Sequence, residues 1–314
     1  MSGSRNRPAS VRGIRHVKPV AATTPGRRAR GLAALRGAVV LLLGIIPAPA
    51  AGGPAPVKLK PRTLEAFERY AGLTEARNAE ELRRGTAFLW VDGLAPAERE
   101  AAYAALRRGQ VRIERLETRE NGRAIACPDG IVHHWVGVIY IPGATLEETL
   151  RLLQDYDHHS AYYRPDVQRS NILERQGNDF KVYMRFLRKK GITVVLNTEH
   201  EIHYFPLEAT RAHSRSRATR IAEVEDHGRP EEREKPVDDG GGYLWRMETW
   251  WRFLERDGGT YVQCETVTLT RDIPTGLGWL IRPFLSGIPR ETLTKTLTDT
   301  RAALARKPAG SPAP

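Results

Sequence analysis

The chain reads as an α+β protein: an antiparallel sheet packed against one long C-terminal helix, with an extra helical segment on its N-terminal side. Three observations predict this. The last third, Gly242 to Leu304, carries two aromatic-rich alternating segments and then one long amphipathic helix. From about Val111, further alternating segments follow one another with only short breaks, as consecutive antiparallel strands do. One capped helix near residue 145 interrupts them. Runs of strands flanked by helices indicate a sheet covered by helices, not a parallel βαβ array.

Residues 61–110 read as helical, because Leu64, Phe67 and Tyr70 share a face and Pro96–Arg108 ends at Gly109, a natural helix-stopping glycine. Between those helices, Thr86–Val91 has the pattern of a short strand. Val111–Glu117 alternates, Asn121-Gly122 is a hairpin turn, and Ile131–Ile141 is a longer strand. Thr145-Leu146-Glu147-Glu148 is a capping box, which satisfies two orphan amide donors at a helix start. Leu146, Thr149, Leu150 and Leu153 form that helix's buried face. A Tyr/His-rich loop, Asp155 to Arg164, follows and is closed by Pro165.

Four strands come next, roughly Gln168–Arg175, Phe180–Lys189, Thr193–Phe205 and Ala209–Glu225, with Gly177-Asn178, Gly191 and Pro206 as the breaks. Asp226–Gly242 is polar and rich in Gly and Pro, the composition of a solvated loop. In Leu244–Glu255, period-two alternation puts Trp245, Met247, Thr249, Trp251 and Phe253 on one face, and Arg246, Glu248, Trp250 and Arg252 on the other. Asp257-Gly258-Gly259 turns the chain into Tyr261–Thr270. After a Gly/Pro loop, Pro289 opens a helix with Leu293, Leu297, Thr300 and Leu304 on one stripe. Lys307–Pro314 is a frayed tail.

The formal charge of +12 is concentrated in a leader. Residues 1–50 hold nine of the 49 basic residues and no acidic one, which leaves 40 basic against 37 acidic residues. So even a balance argues against nucleic acid as a partner. Arg27, Arg28, Arg30 and Arg36 precede the apolar run Ala38–Ile46, followed by Ala48-Pro49-Ala50, the three-part pattern of a cleaved export signal. The run is about ten residues, where a membrane-spanning helix needs roughly 20. The expected organisation is therefore a signal peptide at 1–50 cleaved near Ala50, a linker at 51–60, a helical segment at 61–110 and the main domain at 111–306, in an exported, periplasmic or secreted protein. Cys127 and Cys264 either pair or pack as free thiols.

The strand Ile131–Ile141 leading through Pro142-Gly143-Ala144 into the capped helix, the closing run Leu269 to Ile281, Gly287-Ile288-Pro289-Arg290-Glu291 and the final helix carry a family resemblance. Over about Val111–Arg306 the chain resembles the START-related (SRPBCC) superfamily of lipid-transfer proteins, pollen-allergen-like proteins and polyketide cyclases, and most of all its exported bacterial members. The resemblance implies a helix-grip fold, in which a curved sheet holds the C-terminal helix over a cavity for a sterol, lipid or polyketide. It implies no compact catalytic motif; separately, the residue spacings lead us to expect no cofactor and no metal.

On that expectation Trp245, Met247, Trp251 and Phe253 line the cavity or fill the core. His200 shares the apolar face of Ile202 and Tyr204, where a histidine orients a ligand or is simply a paired core residue. Glu265 lies on the face of Tyr261, Val267 and Leu269, so burial demands a partner, with Arg217 or Arg246 in reach by sequence pattern. Glu199, Glu201 and His203 share a face but lack metal-site spacing. Arg211, His213, Arg215 and Arg217 line a strand face that meets solvent or, transiently, an anionic membrane surface. Binding of a hydrophobic small molecule is the leading reading. A cyclase or aromatase, or an envelope interaction protein using residues 61–110, are the alternatives.

Overall fold

From residue 111 onward the alternating segments pair into one antiparallel sheet in a computed structural model that describes residues 56–190, 192–272 and 278–306. Its long strands are β1 (Arg112–Arg115), β2 (Gly130–Pro142), β3 (Val167–Gln176), β4 (Asp179–Lys190), β5 (Ile192–Glu208), β6 (Arg211–Glu225), β7 (Arg246–Arg256) and β8 (Gly259–Arg271). They lie in the order β1-β2-β8-β7-β6-β5-β4-β3, and a ninth strand of two residues, Arg233–Glu234, pairs with β6. The helices are α1 (Pro61–Arg84), α2 (Pro96–Arg107), α3 (Leu146–Gln154) and α4 (Gly278–Ala305). The leader, the tail, Gly191 and the loop containing Thr275, Gly276 and Leu277 lie outside the described residues.

Period-two alternation sorts the sheet into two faces. The inner face packs on α3 and α4 through Ile139, Phe253, Val262, Leu152, Leu293 and Leu297. The outer face is covered as well. The segment between α1 and α2, with α2 itself, places Leu89, Val91 and Leu106 on Val138, Leu254 and Tyr261. Helix α1 lays Phe67 and Tyr70 on Trp250, Val267 and Leu269. The sheet is thus the middle of three layers, and β2 is buried at every position from Val136 to Ile141, as expected of a strand covered on both sides.

Local signals hold where they were strongest. Thr145 Oγ1 accepts from the Glu148 amide at 3.1 Å while the Glu148 carboxylate accepts from the Thr145 amide at 3.0 Å, completing the capping box. Asp257 (φ 59°) and Gly258 (φ 74°) make a two-residue turn between β7 and β8. Gly259 is required for a different reason: a Cβ there would stand 2.4 Å from the Ile141 carbonyl oxygen. Gly259→Ala is therefore expected to destabilise the protein by about 1–3 kcal/mol, read from the urea midpoint, because backbone must move to admit the methyl.

Four expectations are corrected. Thr86–Val91 is not a strand. Trp90–Gly93 forms a 3₁₀ turn, in which the Leu89 amide donates to the Asp92 carboxylate at 2.8 Å and the Trp90 amide to Gln263 Oε1 at 2.5 Å, so side chains take the bonds a strand partner would have taken. Pro206 does not end a strand but sits inside β5, at a bulge between Pro206 and Glu208, a position where a missing amide is tolerated. The segment Asp226–Gly242 is tied down: Arg233–Glu234 pairs with β6, and Asp239–Gly240 pairs with Val57–Lys58. The final helix begins at Gly278, so Pro289 lies inside it and not at its start.

Candidate functional site

The inner face has two regions of different character. In one, the sheet packs closely against α3 and α4, and Ile139, Phe253, Val262, Phe180 and Tyr204 are all buried. Tyr204 shares a 2.8 Å hydroxyl–hydroxyl bond with Tyr156 and donates to the Leu153 carbonyl at 3.3 Å. Gly137 on β2 lets α4 approach, since a Cβ there would meet Ile113 Cδ1 and Leu297 Cδ1 at 2.6 Å.

The second region follows along the same strands. Cross-strand register places Gly137, Cys264, Trp251 and Ser214 side by side in one rung; Trp135, Thr266, Thr249 and Ser216 in the next; and His133, Thr268 and Met247 in the third. On the neighbouring strands, His200 on β5 and Met184 on β4 complete this wall. Here Trp135, Trp251, Met247 and Met184 are only half-buried, unlike their counterparts in the closely packed region. Apolar area that the protein itself leaves partly uncovered is the common form of a small-molecule wall.

Two histidines border it. His200 is 5% exposed, with Nε2 2.9 Å from Thr198 Oγ1, and burial pushes its pKa down to about 4. His133 Nε2 lies 3.0 Å from Thr270 Oγ1, and burial together with the charge of Arg115 also pushes it down to about 4. Both are therefore neutral near pH 7.

Of the residues singled out from the sequence, Met247, Trp251, Phe253, His200 and Tyr204 lie on the inner face, though Phe253 and Tyr204 belong to the closely packed region. Trp245, Glu265 and Arg217 do not reach it. Trp245 precedes β7, and its ring packs with Phe67 and Leu269 in the outer cluster; alternation starts only where strand pairing starts, at Arg246. Arg217 points outward, 53% exposed and 3.8 Å from Glu248. Neighbouring Arg215 pairs with the same carboxylate at 3.1 Å, so this arginine row is partly neutralised.

Glu265 is 1% exposed on the outer face, and its partners come from α1 and β2, not from Arg217 or Arg246. It accepts from His134 Nε2 at 2.7 Å and from Asn78 Nδ2 at 3.3 Å, and pairs with Arg77. Arg246 pairs with Asp238 at 2.6 Å. Burial works to raise the Glu265 pKa, but the His134 bond and the charges of Arg77 and Arg252 outweigh it and hold the carboxyl below its usual range. The two cysteines are free, Cys264 on the inner face and Cys127 beneath α1 on the outer side. The sheet stands between them.

Sequence reasoning missed Trp135, Thr266, Thr268, Ser214 and Ser216. One signal for them existed: Thr260, Val262, Cys264, Thr266, Thr268 and Thr270 alternate along β8, a threonine-rich face opposite the one carrying Glu265. A hollow of about 450 Å³ beside Tyr103, Arg107 and Arg256 lies between α2 and the β7–β8 turn, away from this wall. Its arginines face Asp257, Arg107 at 3.4 Å and Arg256 at 3.5 Å.

Strand, short helices, six successive antiparallel strands and one long helix across the inner face is the order the resemblance implies. The fold is START-like. No family model matches the sequence, and no curated protein matches it. Among solved structures, this chain is similar to a STAR-related lipid transfer protein from Xanthomonas axonopodis, with 16% identity over 62% of this chain and 99% of that one, at a TM-score of 0.40. It is similar to the Zhui aromatase/cyclase from a Streptomyces species, with 14% identity over 57% and 99%, at 0.38. It is also similar to human STARD10, with 8% identity over 66% and 80%, at 0.36. Among the described residues, no group of His, Cys, Asp and Glu is arranged to hold a metal ion, and no helix is long and apolar enough to cross a membrane.

Proposed function

We propose that this chain is an exported carrier that holds a hydrophobic or amphipathic small molecule, of lipid, sterol-like or polyketide type, between the inner face of its sheet and α4. One observation carries the reading: Trp135, Trp251, Met184 and Met247 stand half-buried on a face whose other region is closely packed. Enclosing an apolar molecule there releases water from both surfaces and requires no chemistry. Export is supported by the basic, apolar and small-residue pattern of the leader.

The test is native mass spectrometry of the protein purified from its own host's envelope, followed by denaturation and identification of what is released. A stoichiometric small molecule is expected. A clean apo mass, together with no thermal shift across a lipid panel, would remove the carrier reading. Trp251→Ala is expected to weaken ligand binding roughly tenfold or more, as loss of a central aromatic contact does. Glu265→Gln leaves affinity unchanged in the same titration, because Glu265 lies on the other face.

A further inference from the structure

The hydroxyls of the second region are unlike those in the rest of the protein. Buried threonine and serine hydroxyls elsewhere among the described residues are bonded: Thr63 donates to the Pro128 carbonyl, Thr149 to Thr145, Ser170 to Tyr156, Thr198 to Met184 and Thr260 to Ala144. Thr74, Thr118 and Thr300 are bonded likewise. The buried exceptions are Ser214, Thr249 and Thr266, 2%, 6% and 8% exposed, on three adjacent strands in two adjacent rungs of the inner face. Thr266 Oγ1 is fully enclosed and without any partner. Half-buried Ser216 and Thr268 flank them.

A buried polar group without a partner costs stability and calls for a reason. Chance does not place the exceptions side by side beneath Trp135 and Trp251. Charge narrows the reason further. Among the described residues, the strands that bear the three hydroxyls, β6, β7 and β8, carry no Asp, Glu, Lys or Arg in these rungs, because their ionised groups, Glu248, Arg252 and Glu265, point to the outer face; the second rung reaches a charge only at its far end, at exposed Arg115 on β1, beyond Trp135. A carboxylate or ammonium seated on the three hydroxyls would lie buried with no counter-charge on their own strands, Arg115 being exposed and beyond Trp135.

We infer that Ser214, Thr249 and Thr266 seat an uncharged hydrogen-bonding group, a hydroxyl or carbonyl, of an otherwise apolar ligand whose remainder lies against Trp135 and Trp251. This rests on the carrier reading and adds the polarity of the cargo to it. A hydroxyl of the protein donates to a ligand oxygen or accepts from a ligand O–H, so alcohols and ketones both fit. Neutral His133 and His200 at the border add polarity without charge.

The experiment is displacement of a neutral fluorescent probe, N-phenyl-1-naphthylamine, from the whole protein at pH 8 by 1-dodecanol, dodecane and ionised dodecanoate. Dodecanol is expected to displace the probe at concentrations at least tenfold below the other two, since each hydroxyl bond is worth about fivefold. Thr249→Val with Thr266→Val is expected to bring dodecanol to the level of dodecane. The comparison is the ratio of dodecanol to dodecane within each variant, so that any change in probe affinity cancels, and the melting temperature is equal or higher, because no bond inside the protein is lost. Ser214→Ala gives an independent, smaller loss of the same kind. Dodecanoate displacing as well as dodecanol, or the double variant keeping wild-type dodecanol affinity, overturns the inference and leaves the carrier reading standing. Failure of the probe itself to bind removes the carrier reading, and this inference with it.

Discussion

Arg252→Ala lowers the unfolding free energy by about 3–5 kcal/mol, the usual result of removing one member of a buried charge network. Arg252 is 2% exposed in the middle of β7, among the largest fully buried side chains of the protein. Its guanidinium donates to the Phe88 carbonyl at 2.9 Å, to Glu81 at 2.7 Å and to Asn78. Asn78 in turn donates to Glu265, which Arg77 and His134 also hold. The far end of the network is Tyr70, whose hydroxyl lies 2.9 Å from His134 Nδ1 and accepts from the Thr118 amide at 2.7 Å. Most of these links join the sheet to α1 or to the segment between α1 and α2; the His134–Glu265 bond lies within the sheet, and the Thr118–Tyr70 bond ties α1 to the chain after β1. The alanine variant leaves a cavity and an unpaired Asn78 oxygen, and moves the melting temperature by roughly 10 °C. Arg252→Met keeps most of the volume and is expected to lose less, which separates packing from charge. Hydrogen exchange should show Pro61–Arg84 opening before the sheet in Arg252→Ala. A denaturation midpoint within about 1 kcal/mol of wild type would show that the network does not hold the outer helices.

Stability is expected to fall steeply between about pH 6.5 and pH 4. Burial pushes His200 and His159 down to about 4, and His159 is further placed by its 3.1 Å bond to the Leu153 carbonyl. His133 is pushed to about 4 as well. The sign follows from proton binding. Unfolded, each imidazole titrates near 6.5, so between that value and about 4 the unfolded chain holds more protons than the folded one. The stabilisation is complete above the unfolded value and is lost as pH falls through the folded one. Each fully buried histidine contributes up to about 3 kcal/mol across that window. Glu265, held below the usual carboxyl range, adds a loss of the same sign at still lower pH. Urea midpoints at several pH values check this, and His159→Phe should flatten the slope by about one proton. An unchanged midpoint from pH 7 to pH 4.5 would contradict it.

Much of the fold was legible residue by residue. The hairpin at Asp257-Gly258, the box at Thr145 and Glu148, and the alternation of Trp251 with Phe253 are local signals, and each is realised locally. Legibility failed where bonds come from a distance. Trp90 turns because Gln263, far along the chain, takes its amide, and the segment after β6 is held because Val57 and Lys58 pair with it. The wall was half legible. Trp251, Met247 and His200 stand out as large or titratable side chains on an apolar face. The hydroxyls beside them do not, because a threonine in a strand is unremarkable until its neighbours across the sheet are known.

The sequence by itself determined the order of elements and the two faces of each strand, since both follow from a period of two and from turn chemistry within a few residues. Only the tertiary structure decided which face meets α4 and which meets α1. In β8 both faces are buried, Cys264 and Thr266 on one and Glu265 and Val267 on the other, so hydrophobic pattern alone assigns neither. Glu265 fell to the outer side because Arg77, Asn78 and His134 neutralise it there, leaving the inner face of β8 free of charge. Such a choice is made by partners more than a hundred residues away, and periodicity carries no record of them.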